Sequence, residues 1–325
     1  MPAPMAHTGL QEPGLRAEFA LVYRPRYESL MADINGVIGE VTSDKLQEIY
    51  GYWEASIYPV RWDPGAPMPS KSILSRRFSV FNRDWARRVY LPRNYEDDQT
   101  GTTFTVARGL GLNWATLPER LFYQYITNTT DLDLLPAIPN SGDGSALYLS
   151  TTRFGDSGGN VVTQSSSWGT VQNVITDCFS VIQRYLDFQN TESQPQWSAA
   201  DIGKGIKVFH GTDVTLVTQQ ASKQMLTHSV VSSTGAAVSN ILVSAGVPFE
   251  FVNSQRITNT NGYFFLKDLP IELRPLFRQV REGMTEQQGN WETSDHTRDT
   301  GEPYVQFKSR EGWGSAVPLA TIRVS

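Results

Sequence analysis

The chain has 325 residues, of which 39% are hydrophobic and 19% charged, with a formal net charge of −5. That length can bury a substantial core, and the balance of apolar to charged residues excludes a disordered chain. The acidic excess argues against a dedicated nucleic-acid binder. The single cysteine, Cys178, excludes an internal disulfide or a cysteine-based zinc site.

The N-terminus, MPAPMAHTGLQEPGLRAEF, lacks the apolar run of a signal peptide, and no stretch reaches the ~18 apolar residues of a membrane span. A soluble intracellular protein without membrane contact is therefore expected. Residues 15–34 carry a helical pattern interrupted by Pro25, behind a lead-in expected to act as an arm. In VTSDKLQEIYGYW, Thr42 or Ser43 is a candidate cap for a short helix carrying Leu46, Ile49 and Tyr50. Prolines between Pro59 and Pro69 then break regular structure.

The next segment, KSILSRRFSVFNRDWARRVYLPR (71–93), is the most unusual. It carries Lys71, Arg76, Arg77, Arg83, Arg87, Arg88 and Arg93 against one acid, Asp84, with Phe78, Phe81, Trp85 and Tyr90 interleaved. The alternation predicts a long exposed two-stranded ribbon. Such a basic element in an acidic chain suits contact with another molecule. One candidate is an acidic face of a second copy, which agrees with the net charge. The other is a nucleic-acid backbone.

Downstream, TGTTFTVARGLGLNWATLPERLFYQYITNT reads as helix, break, helix. Thr116 is a candidate cap, Pro118 lies in the first turn, and Leu121, Phe122, Tyr125 and Ile126 form an apolar face. The loop that follows holds one short strand candidate, SALYLS (145–150). Residues 170–188 form an amphipathic helix with Val171, Val174, Ile175, Cys178, Phe179, Ile182, Tyr185 and Leu186 on one stripe, so Cys178 is read as a buried structural thiol. Strand and helix then alternate through IKVFHGTDVTLVT, QQASKQMLTHSVV, VPFEFVN and YFFLKDL. Two C-terminal strands, PYVQFKSREGW and AVPLATIRV, follow a long polar excursion at 282–302.

The chemistry-bearing motifs do not assemble. GDSGG (155–159) spells the tag around a serine-protease nucleophile, yet only His7 precedes Ser157, whereas that architecture places histidine first and serine last. A turn-rich loop accounts for the tag. IGKGIK (202–207) lacks phosphate-loop spacing, and the four histidines are scattered. No enzyme activity, metal or cofactor is expected. The sum is an α+β protein with protruding parts.

That order of parts resembles the major capsid proteins of tailed phages, which share the HK97 fold, and most closely the Mu-type major head subunit family. The likeness is carried by VTSDKLQEIYGYW, by RRFSVFNRDWARRVYLPRNYEDDQTG, by DGSALYLSTTRFG (with Arg153 where that family tends to have histidine), by FFLKDLPIELRPLFRQVREG and by SREGWGSAVPLATIRV. It implies an N-terminal arm (1–40), a peripheral domain with a spine helix (41–60, 96–164 and 271–325), an extended loop (61–95) and an axial domain (165–270). It further implies self-assembly through hexamers and pentamers into an icosahedral virion shell. In that shell the loop of one subunit lies over its neighbour, contacting it through Lys71, Arg76, Arg77, Arg83, Trp85, Arg87, Arg88 and Arg93. A separate scaffolding protein, a portal, a decoration protein and packaged DNA held non-specifically are the implied partners, with assembly in the host cytoplasm. An encapsulin-like cargo compartment and a nucleic-acid-binding module are the alternatives.

Overall fold

A computed structural model describes residues 11–53, 75–90, 100–131, 134, 137–151, 153, 158–189, 194–226, 229–231, 237–239, 247–289, 295, 299 and 304–325. No described helix is long and apolar enough to cross a membrane.

The first described element is helix α1 (Gln11–Ile34), which passes through Pro25 without a break. Strand β1 (Ile38–Thr42) leads to β2 (Gln47–Trp53), and β3 (Ser75–Phe81) is separated from β4 (Arg83–Tyr90) by Asn82 alone. Helices α2 (Thr100–Ala115) and α3 (Leu117–Thr127) meet at Thr116. The expected break is present, but the expected cap is not. Thr116 is itself helical, and its Oγ1 donates back to the Asn113 carbonyl at 2.7 Å rather than accepting from the next turn. Asn128 ends α3 in the left-handed conformation that asparagine tolerates at a helix C-terminus.

The remaining elements are β5 (Val161–Val162), α4 (Val171–Asp187), α5 (Ala199–Gly203), β6 (Ile206–Gly211), α6 (Thr215–Leu226), β7 (Ser229–Val231), β8 (Ala237–Ser239), β9 (Phe249–Ser254), β10 (Gly262–Leu266), β11 (Leu276–Gly289), β12 (Tyr304–Ser315) and β13 (Thr321–Val324). Strand β11 takes in Glu282–Gly289, the first part of the stretch expected to be an irregular polar excursion, because it finds a partner along β12.

A five-stranded sheet, ordered β5-β13-β10-β6-β9, is the centre of the fold. Both of its faces are covered, so β6 and β10 are buried along their whole length. Strand alternation sends Phe264 and Leu266 to one core and Tyr263 and Phe265 to the other. The first core is closed by α4 through Val174, Ile175, Cys178, Val181 and Tyr185. Thr170 caps that helix by accepting from the Asn173 amide. Cys178 is fully buried, and burial raises its thiol pKa well above the ordinary value. Leu186, expected on the stripe, is exposed at the helix end, while Val181 takes a core position instead.

The second core receives Leu121, Phe122, Tyr125 and Ile126 of α3, with Ile34, Leu276 and Trp313. A second sheet, ordered β1-β11-β12-β4, has α1 and α2 on one face, where Phe19 stacks on Phe307 at 4.2 Å. On that face Arg278 is buried. Its Nε donates to Glu311 at 2.6 Å and its Nη1 to the Tyr27 hydroxyl at 2.5 Å. Burial alone would lower the Arg278 pKa, but Glu311 and Tyr27 outweigh it and raise it.

No strand forms at 145–150. Leu147 and Tyr148 are buried in irregular backbone, which two polar side chains hold instead of a ladder. Arg153 pairs with Asp143 and donates to the Ala146 carbonyl, to Leu147 O at 2.8 Å and to Asn160 Oδ1 at 3.2 Å. Asn160, wholly buried, donates to Leu147 O, Pro318 O and Thr321 O and accepts from the Leu149 amide. These bonds satisfy backbone groups that no sheet satisfies.

Candidate inter-subunit surface

The basic segment does not fold back on itself. One residue, Asn82, joins β3 to β4, too few for a hairpin turn. Its side chain donates to Ser43 Oγ at 3.1 Å and to the Lys45 carbonyl at 2.6 Å, while its amide bonds Leu46 O. Strand β3 pairs with β2, from Gln47 opposite Phe81 to Trp53 opposite Ser75, and β4 pairs with β12, from Arg83 opposite Glu311 to Tyr90 opposite Tyr304. The two-stranded ribbon is thus 47–53 with 75–81, not 71–93, and the segment expected to be a short helix after Ser43 is one of its strands. The reason is period two. Tyr50 turns inward while its neighbour Ile49 turns out, as successive residues of a strand do, and the ladder with β3 fixes that alternation.

The ribbon is seated by one face only. Val80 is buried against Gly312 and Gly314, where an added Cβ would collide with Val80 and with neighbouring backbone or ring atoms. Tyr50 packs edge-on against Phe277 at 4.7 Å and donates its hydroxyl to Gln279 Oε1 at 2.7 Å. Burial, then Glu48, raises its pKa. On the opposite face Ile49 and Phe81 are 64% and 55% exposed.

The proposed contact residues fall in separate places. Lys71 and Arg93 lie outside the described residues. Arg76 and Arg77 stand opposite Tyr52 and Gly51 on β3, described by backbone only. Strand alternation puts Arg83, Trp85 and Arg87 on one face of β4; Trp85 packs into the second core, and Arg87 is exposed. Arg88 points to the other face, where its Nε and Nη2 donate to Gln306 Oε1 at 3.0 and 2.7 Å. Its guanidinium lies 4.2 Å from the Tyr304 ring centroid.

That other face bears Arg88 and Tyr90 beside Tyr304, Lys308 and Arg310, with Asp84 paired to Arg310. The Arg310 hydrogen bond holds the Asp84 carboxyl below its ordinary pKa. Sequence reading missed Ile49 and Leu46 as exposed residues, having assigned them to a helix face. The period-two spelling QEIYGYW was the signal available. It also missed the buried His210, whose ring contacts Gly211 O at 2.8 Å and Thr218 Oγ1 at 3.2 Å, and whose pKa burial lowers. Ser157, His7, His228 and His296 lie outside the described residues.

No protein-family model and no curated protein matches this sequence. Solved structures do. The capsid structure of the cyanophage P-SCSP1u superposes with a TM-score of 0.57 at 12% identity, over 89% of this chain and 86% of that one. The mature capsid subunit of bacteriophage PhiM1 gives 0.55 at 9% identity, over 89% and 85%. The capsid of a native GTA particle gives 0.53 at 9% identity, over 90% and 89%. The chain therefore has the α+β fold of these capsid subunits, the HK97 fold.

Proposed function

We propose that this chain is the major capsid subunit of a tailed phage, assembling with copies of itself into the closed shell of the virion. The observation that carries the reading is the agreement of fold over about nine tenths of the chain with capsid subunits. The ribbon supports it independently. An element seated by one face, with exposed apolar side chains on the other, has the character of an interaction surface.

In this reading the β2–β3 ribbon is the root of the extended loop (61–95), which lies over a neighbouring subunit. Strands β11 and β12 with α2 belong to the peripheral domain (41–60, 96–164 and 271–325), with β4 of the extended loop (61–95) and β1 at the end of the arm (1–40) pairing onto its sheet, and α4, α6 and the five-stranded sheet belong largely to the axial domain (165–270). The basic residues of β3 and β4 meet acidic groups of the neighbour. The ordered series of segments that resembles the Mu-type head subunits supports membership of that branch. A separate scaffolding protein, portal, decoration protein and the packaged DNA are the partners that follow, with assembly in the host cytoplasm.

The test is electron microscopy of the purified chain beside a sizing column in moderate salt. Closed shells, or five- and six-fold rings, are expected. A double reversal, Arg87→Glu with Arg88→Glu, is expected to leave a folded monomer that no longer assembles. Normal assembly of that variant overturns the role given to the basic strand.

A further inference from the structure

Between the β2–β3 ribbon and the body lies a groove of about 710 Å³, within the range that holds a small organic ligand. Three aromatic rings form one wall. Tyr50 meets Phe277 edge-on at 4.7 Å and stacks with Phe78 at 5.6 Å, and Phe78 lies 5.8 Å from Phe277. Val41 and Val317 continue the apolar lining. Tyr50 and Phe78 are only half-buried, so ring surface stays open to a ligand.

The lip adds a charge of one sign. Ile271 and Leu273 bracket Glu272 there, and no lysine or arginine is among the described residues that line the groove. Glu40 borders it too, but that carboxylate lies 4.0 Å from the Arg278 guanidinium, so Glu272 is the anion left for a ligand. The lip is held in place. Arg274 donates to the Leu269 carbonyl at 2.9 Å and to the Ile38 carbonyl at 2.5 Å, and a Cβ at Gly39 would sit 3.0 Å from the Ile271 side chain.

We infer that the groove binds a small organic ammonium carried on an apolar stem. The stem lies along the rings and the two valines, where removing apolar surface from water drives binding. The ammonium sits over the electron-rich faces of Tyr50 and Phe78, toward the Glu272 end. An aromatic wall beside a carboxylate, with no resident cation, suits that chemistry. An anionic ligand finds no partner charge in the lining and meets Glu272 instead. Every group of the site belongs to one copy of the chain, so the inference stands apart from the shell reading.

Ligand-detected NMR on the unassembled chain tests the site with three probes of one skeleton: phenylbutylammonium, phenylbutanol and phenylbutyrate. The ammonium is expected to bind about tenfold tighter than the alcohol, and the carboxylate to bind weakest. Glu272→Gln, at an exposed position, is expected to weaken the ammonium about threefold and to leave the alcohol unchanged. Phe78→Leu keeps apolar volume while removing a ring, and is expected to bring the ammonium down toward the alcohol. Carboxylate binding equal to that of the ammonium, no binding by any probe, or ammonium binding indifferent to both variants overturns the proposal. Binding to the free chain that disappears in assembled shells also overturns it, since a second copy then fills the groove.

Discussion

Strands β3 and β10 both carry phenylalanines in short runs, and their fates are opposite. In β10 the sequence GYFFL has a layer on each side, so both alternating sets of side chains are buried and every residue is core. In the ribbon, Val80 and Phe78 are covered by the body while Phe81 and Ile49 face outward. The same residue type makes a finished interior in one place and an unfinished surface in the other. The difference lies in what the rest of the chain supplies on the second face. The centre is complete within the chain, whereas the ribbon leaves one face exposed, which is the feature the proposed shell contact uses.

The comparison is broken most severely in the centre. Phe264→Ala opens a cavity beside Trp168, and a loss of about 3–5 kcal/mol is expected in denaturant unfolding. Asn160→Ala removes a donor shared by three buried carbonyls, of which Leu147 O keeps Arg153 and Pro318 O keeps the Thr321 amide, and leaves the Leu149 amide without its acceptor, so about 1–3 kcal/mol is expected to go.

A milder effect is set by pH. His210 is held neutral by burial, with its pKa below the unfolded value of about 6.5. Below that pH the unfolded chain binds a proton that the native state refuses. Stability is therefore full above about pH 6.5 and falls as the pH drops toward the native pKa. Thermal unfolding from pH 7.5 to 5 is expected to show this slope, and a His210→Asn variant to flatten it. Smallest of all, Ile49→Asp is expected to change monomer stability by no more than about 0.5 kcal/mol, measured by denaturant unfolding. A large loss there would mean that the outward face already has a partner within the chain.

What the sequence revealed followed the range of the interaction. The stripe on α4, the break at Thr116 and the buried Cys178 depend on residues within a turn or two of each other, and they were legible. The ribbon was not, because β2 pairs across the intervening segment with β3, and β4 pairs with β12 more than two hundred residues away. Leu46, Ile49 and Tyr50 satisfy a helical spacing locally, and only Phe277 and the Gly312–Gly314 track decide for a strand. The segment around Leu147 looked like a strand by composition. Arg153 and Asn160 hold it instead, and the C-terminal carbonyls that Asn160 serves lie far along the chain. Of the basic segment, the charge was visible, while the division of residues 75–90 between two sheets was not.

The central claim is that the uncovered face is covered by a copy of the same chain. Electron microscopy of the purified protein, alongside its mass in solution, tests this most directly. Shells or five- and six-fold rings are expected, with the ribbon of each subunit resting on its neighbour. A particle that stays at the 36.3 kDa of one chain at every concentration and salt, with and without crowding agent, contradicts the account.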